Sequence, residues 1–244
     1  MYLSTISIYL VVLFVISLLL PLIIFSSAIL SAGSAAGMPS AKVSKIQFWV
    51  IGFLISWWIY AAYLSISGFL YGNALPPKPV LFLILPLLLF LFFVVKRSCI
   101  FKTLFEAVSI ETLINIHVFR LIGAWFLVMA YHDLLPMGFA MRAGWGDILT
   151  GVSALLISYL VFKKKRLSIK WAYAWNIFGL VDILSVVISA IVITATANSE
   201  VADKNNVLEL TMFPFALIPT FAPAIILFLH IITFKKLGMI SNKG

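Results

Sequence analysis

Five polar side chains interrupt long apolar stretches of this sequence: His117 and Arg120, Asn176 and Asp182, and His230. His117 and Arg120 sit three apart in "INIHVFRLIGAWF" and so share a helical face. Imidazole, guanidinium and carboxylate in apolar surroundings can bind a proton, a small ion or a small polar ligand. They can also hold a b-type haem through His117 and His230 as axial ligands, with Arg120 near a propionate. Two further uses are acid–base catalysis and the fastening of one helix to another. An ionised side chain at the centre of a membrane helix costs about 3 kcal/mol on insertion scales, so pairing between Arg120 and Asp182 is expected.

The elements that must position these groups follow from composition. Of 244 residues, 64% are hydrophobic and 10% charged, with a mean hydropathy of +1.17. Such a chain is a polytopic membrane protein rather than a water-soluble globule. Apolar runs of roughly twenty residues, enough to cross a bilayer, occur at about 6–30, 47–70, 79–95, 113–135, 143–162, 171–195 and 210–234. The expectation is one all-α domain over 1–244 with seven transmembrane helices, joined by connections too short for a soluble domain.

Basic residues set the orientation. Lys42, Lys45, Lys96, Arg97, Lys102, Lys163, Lys164, Lys165, Arg166, Lys170, Lys235, Lys236 and Lys243 fall after spans one, three, five and seven. Only Lys78, Arg142 and Lys204 fall on the other side, and Arg120 lies within a span. The positive-inside rule puts the N-terminus outside and the C-terminus in the cytoplasm. The formal charge of +9 is then explained by topology and anionic lipid headgroups, and nucleic acid is not a partner. The first span is read as a permanent helix rather than a signal peptide, because its apolar stretch is long and no Lys or Arg precedes it. Membrane lipids are the expected partners, with a small ligand or ion at the polar groups; oligomerisation is left open.

Depth brings the five residues together. Counted from the cytoplasmic ends of spans four, six and seven, His117, Arg120, Asn176 and His230 lie roughly 6–10 Å deep and Asp182 roughly 17 Å deep. Asn176 is placed to complete the hydrogen bonding of the Arg120–Asp182 pair. Residues 100–112 alternate as an amphipathic helix on the cytoplasmic surface, with Ile100, Phe101, Leu104, Phe105 and Val108 on its apolar face. On the outer side "YHDLLPMGFAMRAGWGD" gathers His132, Asp133, Arg142 and Asp147; Asp147 reads as a carboxylate capping the first turn of span five. Trp125, Trp145, Trp171 and Trp175 read as interfacial belt residues. Span three has no polar side chain and suits a lipid-facing position, whereas Pro214, Pro219 and Pro223 predict an irregular span seven.

Other chemistries lack their signatures. The single Cys99 belongs to no ligand spacing, and no metal site is expected. Nucleophile-elbow, zinc-protease, P-loop and dinucleotide patterns are absent. A retinal protein needs a lysine within the last helix, and the first one there is Lys235 at its end.

The segments "FRLIGAWFL", "LPMGFAMRAGWGD", "WNIFGLVD" and "LIPTFAPAIILFLHIITFKKL" resemble a group of bacterial multi-pass membrane proteins described as hypothetical. The resemblance covers spans four to seven and implies a bacterial inner-membrane location without an activity or cofactor. That group often has proline where this chain has Arg142. Transport or binding of a small ligand or ion is the leading expectation, with haem binding, an intramembrane enzyme or an assembly subunit as alternatives.

Overall fold

The computed structural model describes residues 7–164, 167–196 and 206–241, and is helical throughout with no strand among them. Lys165, Arg166, Lys204 and Lys243, used above for orientation, lie outside the described residues. Seven helices are long and apolar enough to cross a membrane: Ile8–Ala35, Ser40–Ile66, Val80–Arg97, Ile110–Tyr131, Met137–Phe162, Ser168–Thr196 and Phe215–Ser241. They are called spans one to seven in chain order. Short connections make successive spans antiparallel, so the Lys-rich ends of spans one, three, five and seven meet at one end of the bundle.

Several boundaries differ from those expected. Span two starts at Ser40, so Lys42 and Lys45 lie inside its first turns rather than in a loop. Span five starts at Met137, behind Pro136, which supplies a φ of −58° and needs no N–H there. The amphipathic segment is a helix over Cys99–Ala107 only; Ser109 then caps span four by accepting from the Thr112 N–H. Phe105 and Val108 are buried against the bundle, and Lys102, Thr103 and Glu106 are exposed.

Span seven is the central element. Of its most apolar stretch 83% is buried, against 61% for span four and 11% for span three. Its beginning is irregular, with a cis bond before Pro214, a short 3₁₀ turn at Phe215–Leu217 and a regular helix only from Ala222. Neighbours satisfy carbonyls in this segment. Trp57 Nε1 donates to the Thr220 carbonyl at 3.2 Å, and Ser65 Oγ donates to the Thr211 carbonyl at 2.8 Å. In apolar surroundings a backbone acceptor without such a partner is strongly penalised.

Span four changes its winding midway. It is α-helical over Ile110–Ile116, 3₁₀ over His117–Gly123, and α-helical again over Ala124–Tyr131. Three residues per turn places His117 directly above Arg120, and seven residues is long for a 3₁₀ segment.

Candidate functional site

All the side chains singled out inside the spans converge around Arg120, which is 1% exposed. Its Nε donates to Asp147 Oδ1 at 2.7 Å, and its Nη2 is paired with Asp182 Oδ2. Nη1 donates to the Gly179 carbonyl at 3.2 Å and lies 3.3 Å from His230 Nε2. Four hydrogen bonds from one guanidinium therefore join span four to spans five, six and seven. The fork of five N–H groups on Arg suits this arrangement, whereas the point charge of Lys does not.

Hydrogen-bond logic fixes the tautomer of His230. Arg120 can only donate, so Nε2 of His230 accepts and Nδ1 carries the hydrogen. Nδ1 then donates to Asn176 Oδ1 at 2.8 Å, and Asn176 Nδ2 donates to the His230 backbone carbonyl at 3.0 Å. Asn176 thus serves the histidine rather than the Arg120–Asp182 pair. ¹⁵N spectra of labelled protein should show His230 protonated at Nδ1, and Asn176→Leu should cost about 1–3 kcal/mol of stability by orphaning that donor. A spectrum with the proton on Nε2 would mean that Arg120 does not face the ring.

His117 stacks on this assembly from above. Its ring centroid is 4.2 Å from that of His230, and the edge of Trp175 approaches at 5.1 Å. Both ring nitrogens of His117 are buried without a protein partner. Trp175 is held by bonds from Nε1 to the Thr150 carbonyl and Ser153 Oγ, at 3.2 and 3.1 Å.

Glycines make room for these groups. A methyl group on Gly123 of span four would overlap the Asp147 carboxylate, and one on Gly146 of span five would overlap that of Asp182. On Gly179 of span six it would meet the His230 ring at 2.5 Å. Asp147, Asp182 and His230 are thus each seated on a glycine of the preceding span, the close approach that small residues permit between helices.

A cavity of about 90 Å³ reaches Asp147 from the end opposite the Lys-rich loops. Ile183, Val187, Ala190, Pro219 and Ile226 contribute to its apolar wall, and Gly72, Asn73 and Asn206 line it from the connecting segments.

The chain belongs to the family described as a domain of unknown function, DUF8737. Residues 77–238 match, a stretch that includes spans three to six, most of span seven and every member of the polar cluster. No curated protein and no solved structure matches the chain.

Within this DUF8737 region several residues stand differently from the sequence-based expectation. Asp147 does not cap a helix: with span five starting at Met137 it lies about three turns inside, where its carboxylate faces Arg120. The haem arrangement does not fit His117 and His230. Two axial imidazoles stand on opposite sides of a macrocycle with iron between them, but these rings touch each other and both nitrogens of His230 are engaged. Trp175, expected in an interfacial belt, is buried beside His117, whereas Trp145 and Trp171 are exposed. His132, Asp133 and Arg142 are exposed near the opposite end and take no part in the cluster. Among the described residues no three His, Cys, Asp or Glu side chains are grouped to hold a metal.

Proposed function

We propose that this is a multi-pass protein of the bacterial inner membrane, N-terminus outside, whose cluster holds an exchangeable proton coupled to binding or transport of a small ligand or ion. Charge carries this reading. One guanidinium faces two carboxylates, which leaves the trio at −1 when both are ionised. Net charge in apolar surroundings is costly, and one proton on either carboxylate removes it. The cavity at Asp147 supports exchange from one end, and it is large enough to hold water. His230 and His117 continue the line of titratable groups toward the other end. The excess of Lys and Arg in alternate connections supports the orientation.

Infrared difference spectra of the reconstituted protein between mildly acidic and mildly alkaline pH test the proposal. A carboxylic-acid carbonyl band should appear on acidification and be lost in Asp147→Asn and in Asp182→Asn, because each variant leaves a single carboxylate already neutralised by Arg120. Absence of any such band in folded wild-type protein would overturn the reading.

A second reading, a purely structural lock, is favoured by the four bonds that engage Arg120. Under it the Asn variants change thermal stability while the wild type binds no proton at these positions.

A further inference from the structure

A second, larger space lies in the Lys-rich half of the bundle. It is a crevice of about 660 Å³, within the ~300–1,000 Å³ range of ligand sites. Spans one, two, three, four and seven wall it, and the Cys99–Ala107 helix closes one side. Its surface is apolar, with Ser98 supplying the one hydroxyl. Spans two and three meet across it through the Phe53 and Phe90 rings, stacked at 5.0 Å. Trp49 lines the same space while remaining 65% exposed.

Charge distinguishes this crevice from an ordinary lipid-facing groove. Lys45, Lys96, Arg97 and Lys102 each adjoin in sequence a lining residue, namely Ile46, Val95, Ser98 and Phe101. Lys45, Arg97 and Lys102 are exposed; Lys96 lies over the Phe92 ring at 5.1 Å and Arg97 over the Phe93 ring at 5.4 Å. Glu106 is the one exposed carboxylate on the adjoining short helix. Lys236 is turned away from this task, donating to the Phe105 and Glu106 carbonyls.

We infer that the crevice holds an acyl chain of an anionic glycerophospholipid, whose phosphate headgroup is bound by Lys45, Lys96 and Arg97. An apolar slot whose lining segments carry several cations matches a lipid with a hydrocarbon tail and a net negative head, and a zwitterionic lipid would leave the cations uncompensated. This inference is independent of proton binding at Arg120.

The test is native mass spectrometry of the full chain from nanodiscs containing equal phosphatidylglycerol and phosphatidylcholine of identical acyl chains. Wild-type protein should retain phosphatidylglycerol in preference by roughly ten-fold. Lys45→Gln/Lys96→Gln/Arg97→Gln should abolish the preference, and Leu91→Trp, which fills the crevice, should reduce retention of both lipids. Wild-type competition stands without the variants, so a folding defect in either leaves the test intact. Equal retention of the two lipids, an isoprenoid found in place of a phospholipid, or an unchanged preference in the folded triple variant would overturn the inference.

Discussion

Arg120→Met is expected to lower the stability of the detergent-solubilised protein by about 3–5 kcal/mol, enough to leave little folded material. Methionine matches the length of the stem and packs in apolar surroundings, so the loss comes from charge. Asp147 and Asp182 would be left buried with no cation, and the Gly179 carbonyl and His230 Nε2 would each lose a donor. The triple variant Arg120→Met/Asp147→Asn/Asp182→Asn removes the stranded charges together and should recover most of the loss, because a buried ionic set is often replaceable as a unit. Arg120→Lys should fall between the two, keeping a charge but not four bonds in different directions. Thermal unfolding followed by size-exclusion chromatography checks the series. Equal stability of Arg120→Met and wild type would mean that the guanidinium is not the hub of the bundle.

The same residues show what a sequence can and cannot reveal here. Seven spans are legible because hydrocarbon excludes charge, and composition alone marks where the chain can cross. Arg120 and Asp182 stand out for the same reason, and helical rise places them near one level. Asp147 does not stand out, because the apolar run of span five, starting at about 143, puts it in the first turn, where a carboxylate is ordinarily a cap. The informative residue is Pro136: no further proline follows it before Phe162, and a start behind it puts Asp147 about three turns inside the span. The 3₁₀ winding of span four has no marker in "HVFRLIG", which holds no proline, and it emerges only from packing. Trp175 and the seats at Gly123, Gly146 and Gly179 depend on which helices touch, which periodicity within one helix does not report. Depth alone pairs Asn176 with the Arg120–Asp182 ions, whereas its partner is His230 on span seven, 54 positions away.

Those glycine seats carry the second large effect. Gly146→Ala is expected to destabilise the protein by about 3 kcal/mol, although alanine is ordinarily the better helix former. The added methyl group would occupy the position of the Asp182 carboxylate, so either spans five and six separate or Asp182 leaves Arg120. Gly52→Ala is the control: the position is mid-helix, nothing lies within 4 Å of the added carbon, and a gain of about 0.5–1 kcal/mol is expected instead. A double-mutant cycle assigns the cause. In an Asp182→Ala background the obstructing carboxylate is gone, so Gly146→Ala should there cost less than about 1 kcal/mol, giving a coupling of about 2 kcal/mol between two residues on neighbouring spans. The same cost in both backgrounds would show that Gly146 is needed for helix packing alone, and that the carboxylate beside it is not held in place by the small residue across the interface.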